Sequence, residues 1–288
     1  MVMRRRIRPG CRWWVGVWTI QLLMAQSAQA APGAAQAAIR ETMAYMDAGQ
    51  LEPALASAKK AIQAEPERVE AHLLYIRLMG ELGRTAVVQG EYATRRDTRK
   101  DALSLMLYGR TLEKPEQMEA TFRQALTKDP KLGWAHYCLA TVHVQRNQID
   151  KAVASLEDAI KVQPGFYQAM ESLATLYLGM GKSDRAIPLY QKALELDADN
   201  PQVMYELGSL LAKKGDNARA ASLLEGSLKR VPNNTQVMSN LGFVYLKLKR
   251  YDDSIALYDR VLQASPNDSA ARLNREVVRR VKKRGRQV

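Results

Sequence analysis

Pro130, Pro164, Pro232 and Pro266 are separated by 34, 68 and 34 residues. A period of that length constrains the fold more than any other feature of the chain, because a fixed repeat makes each copy a small structural unit that buries its apolar face only against its neighbours. Four contiguous blocks align on these prolines: 133–166, 167–200, 201–234 and 235–268. Position 8 of the blocks reads Ala140, Ala174, Gly208, Gly242. Position 20 reads Ala152, Ala186, Ala220, Ser254, and position 27 reads Ala159, Ala193, Ser227, Val261. Position 7 is leucine throughout, at Leu139, Leu173, Leu207 and Leu241, and position 24 is Leu156, Tyr190, Leu224 or Tyr258.

Each block reads as two helices. Leu173, Leu176, Tyr177 and Met180 fall at helical spacing in a first helix. A break follows at Asn147, Gly181, Gly215 or Lys249, and the second helix stops at or near the proline. Two antiparallel helices approach closely only where neither carries bulk, which gives positions 8, 20 and 27 their small side chains. Larger residues at 7, 11 and 24 fill the space beside them.

This pattern resembles the tetratricopeptide repeat, whose 34 residues carry W-x2-L-G-x2-Y, then A-x3-F, then P. A further copy lies at 35–68, with Tyr45, Gly49, Ala54, Ala61 and Pro66 in register. The resemblance implies an all-α solenoid of about seven antiparallel helix pairs over residues 31–268. Pro66 and Pro130 lie 64 residues apart, four short of two repeats, and 84–112 is the irregular stretch. Residues 84–100 lack the small positions, so this stretch is either a shortened helix or an exposed elbow.

Net charge is +13, unevenly placed. Residues 1–30 hold five arginines and no acid, then an apolar run WWVGVWTIQLLM, then Ala28-Gln29-Ala30. That is the layout of a secretory signal peptide cleaved after Ala30, with an uncleaved anchor as the alternative. A bacterial periplasm is the expected location, and nucleic-acid binding is not expected. Residues 269–288 are expected to form a basic capping helix and tail. Leu273, Val277 and Val281 should face the array, while Arg272, Arg275, Arg279, Lys282 and Arg286 form a basic stripe. The stripe reads as a polar end-cap, or as a contact for anionic lipid or polymer in a membrane-tethered scaffold.

Nothing in the sequence assembles a catalytic or cofactor site. His136 and His143 are seven apart on one helix, about 10 Å, too far for one metal ion. Their repeat positions imply packing, as does that of Cys138. Ser57 and Lys60 have the spacing of some acylating enzymes but should lie on a solvated face. Met170, Met204 and Met238 share position 4 and read as core.

The resemblance places positions 2, 5, 6, 9, 12 and 13 of the first helices on a concave surface. Trp134, Tyr137, Tyr205 and Phe243 fall there, and only Glu171, Lys213 and Lys247 bring charge to positions 2, 5, 9, 12 and 13 of the four blocks. Aromatic gain with charge loss is the composition of an interface core. Asn240 and Asn274 both stand at position 6, where family members that bind extended peptides place asparagine against the ligand backbone. The Lys and Asn pair of the family's carboxylate clamp is absent, with Tyr205 and Ser209 at those positions. The expected function is a non-enzymatic scaffold of the cell envelope, binding a protein partner during assembly of a secretion, pilus or exopolysaccharide-export system.

Overall fold

A computed structural model describes residues 33–285, so the expected signal peptide and Arg286 lie outside the described residues. These residues form fifteen α-helices and no strand, in two compact units that divide between residues 176 and 177. Unit 1 holds α1 (Ala34–Asp47), α2 (Leu51–Ala64), α3 (Val69–Glu81), α4 (Thr85–Arg99), α5 (Ala102–Arg110), α6 (Pro115–Lys128), α7 (Gly133–Gln145) and α8 (Ile149–Val162). Helix α9 (Tyr167–Gly179) carries the boundary. Unit 2 holds α10 (Ser183–Leu196), α11 (Pro201–Lys213), α12 (Asn217–Arg230), α13 (Thr235–Lys247), α14 (Tyr251–Ala264) and α15 (Ser269–Gly285).

The breaks between paired helices share one backbone device. Gly49, Gly83, Asn147, Gly181, Gly215 and Lys249 all occupy position 15, and all have positive φ, between 57° and 86°. A left-handed residue ends the first helix and reverses the chain. Glycine adopts that conformation freely, whereas Lys249 meets a steric cost of about 1–2 kcal/mol. The small positions behave as steric logic demands. Ala152, Ala159, Ala186, Ala193 and Ala220 are wholly buried. A Cβ on Gly242 would lie 3.0 Å from the Tyr258 ring, and one on Gly208 would lie 3.0 Å from Leu224 Cγ.

In the irregular stretch both α4 and α5 are helical. The deficit falls on α5, nine residues against thirteen in α7, and on the turn before it, where two residues replace four. Asp101 caps α5 by accepting from the Ser104 amide at 2.6 Å. The four missing residues are thus a shortened first helix rather than a loop.

Two expectations need correction. Ser57 is buried, and its hydroxyl donates to Glu41 at 2.8 Å across α1 and α2, while Lys60 alone is solvated. In α15 the face turned to its neighbours is Ala271, Arg275, Val278 and Lys282. Ala271 and Val278 are buried, Arg275 donates to Asp259 at 2.6 Å, and Lys282 pairs with Asp252. Leu273, Val277 and Val281 point away, 65%, 40% and 38% exposed. The cause is repeat register: Lys282 and Asp252 stand two repeats after Lys214 and Asp184, which form the same ion pair. Helix α15 is therefore laid down like the first helix of another repeat, and its cations at positions 7 and 14 tie it to α14.

Adjacent valines test this rotation. Val278→Asp should destabilise unit 2 by several kcal/mol, because an unpaired carboxylate enters an apolar contact. Val277→Asp should change stability by no more than about 0.5 kcal/mol, as surface substitutions do. Denaturant titration of both variants checks it, and equal losses would contradict the register.

Candidate functional site: the first-helix face of unit 2

Helices α11, α13 and α15 enter in the same way, one repeat apart. Asn200 Oδ1 accepts from the amides of Gln202 and Val203, and Asn234 Oδ1 from those of Gln236 and Val237. Asp268 Oδ1 accepts from the Ala271 amide at 2.9 Å. Each cap satisfies amides that the first turn leaves unpaired and fixes where the helix starts. With the starts fixed, equal repeat positions share a side. Val203, Leu207 and Leu210 on α11, and Val237, Leu241 and Val244 on α13, are buried with Ala271 and Val278.

The opposite side carries Tyr205 and Ser209 on α11, Asn240 and Phe243 on α13, and Leu273, Asn274, Val277 and Val281 on α15. Phe243 is 43% exposed, with Lys247 Nζ 5.1 Å from its ring centroid. Seven large apolar side chains are exposed among the described residues, and four of them are Phe243, Leu273, Val277 and Val281. The other three, Val87, Leu196 and Val231, lie on other helices and turns, so apolar exposure is concentrated here. Contiguous exposure of this kind marks interaction surfaces.

The polar groups on this face are arranged between helices. Asn240 Nδ2 donates to Ser209 Oγ at 2.9 Å and lies 3.3 Å from the Tyr205 hydroxyl. The amide thus ties α13 to α11, and Tyr205 is held by it. Burial raises the Tyr205 phenol above its usual value, with the Glu206 charge adding to the shift. Asn274 lies beside the Tyr258 hydroxyl, which burial pushes up to about 12. This face therefore offers apolar rings and aliphatic chains with few charges, and can bury an apolar or aromatic segment at about 25 cal/mol per Å² of apolar area.

Trp134 and Tyr137 lie in unit 1. Their rings meet edge to face at 5.7 Å, and both abut Phe166, at 4.7 and 5.5 Å between centroids. Phe166 is buried and the other two are half-buried, so this trio stitches α7 to the turn before α9. Among the basic-stripe residues Arg275 and Lys282 are committed to carboxylates of α14. Arg272 donates to the Pro266 carbonyl at 2.8 Å, and Arg279 is exposed. Sequence reasoning missed Leu273, Val277 and Val281 as face residues. The signal was present, since they occupy positions 5, 9 and 13, where Ser239, Phe243 and Lys247 stand one repeat earlier.

His143 is buried with Nδ1 3.0 Å from Gln148 Oε1, and His136 Nε2 lies 3.0 Å from the Pro130 carbonyl. Cys138 is buried against Met106, and burial pushes its thiol up to about 11. Among the described residues no cluster of three His, Cys, Asp or Glu could hold a metal ion, and no helix is long and apolar enough to cross a membrane.

Two family models match this chain. One, described as the cytochrome c-type biogenesis protein H TPR domain, covers residues 170–272, and the other, tetratricopeptide repeat, covers 137–201. Residues 137–272 thus match tetratricopeptide-repeat models, and the described residues have the all-α fold of stacked helix pairs seen in such proteins. No curated protein sequence matches it. Among solved structures, the Cut9 and Hcn1 hetero-tetramer of the APC/C is similar at TM-score 0.55 and 20% identity, over 86% of this chain and 50% of that one. This chain therefore spans half the length of that relative. YrrB, a TPR protein with an unusual peptide-binding site, gives 0.52 at 17% identity over 76% and 97%. Pseudomonas aeruginosa pilF gives 0.51 at 16% over 83% and 95%. At these identities the likeness is one of fold. Tetratricopeptide repeats are protein-interaction scaffolds and generally non-catalytic, a stack of local units without an inherent active site.

Proposed function

We propose that this chain is a non-enzymatic adaptor of the bacterial cell envelope that holds an apolar or aromatic segment of a partner protein on the first-helix face of unit 2. The observation that carries the reading is the exposed line of Phe243, Leu273, Val277 and Val281 on two neighbouring helices. An extended segment or an amphipathic helix fits such a face. The exported setting rests on the basic, apolar and A-x-A succession at residues 1–30. The description of the model matched over 170–272, a cytochrome c-type biogenesis protein, supports a role in assembling other proteins. Secretion, pilus and exopolysaccharide-export systems are the settings in which such an adaptor would act.

A second reading shares the same helix. Arg279, Lys283 and Arg284 are exposed beside the apolar line, which suits anionic lipid or polymer in a membrane-tethered scaffold. The test is capture from envelope extracts with the full chain at rising salt, with N-terminal sequencing of the chain recovered from cells. Salt-insensitive capture of a protein, and a periplasmic chain beginning at Ala31, are the expected results. Capture lost steeply with salt would favour the second reading, because exposed charges are screened within about 8 Å at physiological ionic strength. A cytosolic chain retaining Arg4 would overturn the envelope setting.

A further inference from the structure

The second repeat, 69–102, breaks the small-residue rule at every position. Positions 8, 20 and 27 are Ile76, Val88 and Arg95. Helices α3 and α4 accordingly touch each other sparsely, where α7 and α8 pack closely. A cavity of about 290 Å³ opens beside them, between α2, α3 and α4, walled by Ile62, Tyr75 and Tyr92 with Lys59 and Arg95 at its edges. It lies wholly in unit 1, apart from the face described above.

The donors around it are not equivalent. His72 is buried, with Nε2 2.9 Å from the Pro66 carbonyl and Nδ1 2.6 Å from the Tyr92 hydroxyl. A carbonyl only accepts, so Nε2 carries the proton and Tyr92 donates to Nδ1. Tyr75 donates to Glu91 at 2.7 Å. Both phenol protons are thus committed to the protein. Arg95 Nη2 donates to the Pro66 carbonyl at 3.0 Å and lies 3.6 Å from Glu67. Its Nε is buried with no protein acceptor. Lys59 Nζ stands 5.7 Å from the Tyr75 ring centroid. What the cavity still offers is the positive charge of the Arg95 guanidinium, the Lys59 ammonium and two phenol faces. A carboxylate is the strongest partner for two such cations.

The geometry points to this cavity as a binding site for a carboxylate carried on an apolar or aromatic group, as at the C-terminal residue of a peptide. The ring or aliphatic chain lies against Tyr75, Tyr92 and Ile62, and the carboxylate is held by the charges of Arg95 and Lys59. Glu91, engaged by Tyr75, disfavours a second negative charge, so a monoanion suits the site better than phosphate. A volume of 290 Å³ takes one such residue and no long segment.

The test is a chemical-shift titration of the full chain with N-acetylphenylalanine, its neutral amide, and N-acetylglycine. The acid should perturb residues of α2, α3 and α4 and bind at least about tenfold more tightly than either other probe, the span of one charge-assisted hydrogen bond. Lys59→Gln and Arg95→Gln should each reduce that preference. Lys59 is exposed, so its variant remains informative if the Arg95 variant unfolds. Equal binding of acid and amide, equal binding of the phenylalanine and glycine acids, or a preference that survives Lys59→Gln would each overturn the assignment. None of these results bears on unit 2.

Discussion

Tyr258→Ala should cost about 3–5 kcal/mol of folding free energy, the range for truncating a buried aromatic side chain. Tyr258 is 1% exposed and its ring covers Gly242, where a Cβ would come within 3.0 Å. The contact is between the two helices of one repeat, so α13 and α14 lose their main spacer together. Tyr258→Phe keeps the ring and removes only a hydroxyl lying 3.3 Å from the Ser239 carbonyl. It should cost about 1 kcal/mol. Urea unfolding of the two variants against wild type separates packing from hydrogen bonding. A loss under about 1 kcal/mol for the alanine variant would mean that the close approach at position 8 does not hold the repeat together.

Phe243→Ala should weaken capture of the natural partner by about 2 kcal/mol, close to thirtyfold, with the fold intact. The ring is 43% exposed, so much of it is free to meet a partner, and melting curves separate any packing loss from the loss in binding. Val277→Asp, expected to leave stability alone, should weaken capture at least as much by placing a charge against the partner's apolar surface. Ser209→Ala gives the contrast. It removes an acceptor of the Asn240 amide, so its effect should reach binding only through the placement of α13. Titration calorimetry with the purified partner, alongside melting curves, decides the matter. Wild-type affinity in both Phe243→Ala and Val277→Asp would move the recognition surface elsewhere.

Most of the fold was legible because its determinants are local and periodic. A small residue at 8, 20 or 27 announces a helix contact, and a residue at 15 announces the reversal, whether it is Gly181 or Lys249. The fate of 84–112 was not legible, since the same four-residue deficit is compatible with a shorter helix or with a loop. The Asp101 cap on Ser104 decides it, and a cap of that kind is visible in sequence only once the helix start is known. Helix α15 was misread for a different reason. Helical spacing of three or four is compatible with two faces on it, Leu273–Val277–Val281 and Ala271–Arg275–Val278–Lys282. The more hydrophobic of the two was assigned to the interior. Repeat register outranks hydrophobicity there, because Asp259 and Asp252 wait on α14 for Arg275 and Lys282. The aromatic residues divide likewise. Belonging to the expected concave-surface positions does not distinguish Trp134, packed on Phe166, from Phe243, which is 43% exposed.

Within each unit, helices pack against the next along the chain or the next but one. Contacts of such short sequence separation need little loop closure, so folding of this kind nucleates anywhere and spreads along the stack. It also opens locally, with free energies set by each helix's own contacts. Helix α15 is held by two buried apolar residues and two ion pairs, less than anchors any first helix before it in unit 2. Half of the proposed recognition face is therefore carried by the first helix of unit 2 with the fewest buried apolar residues. If a partner binds there, occupancy of that face and the docking of α15 on α14 become one equilibrium, in which the bound segment adds a neighbour to the helix.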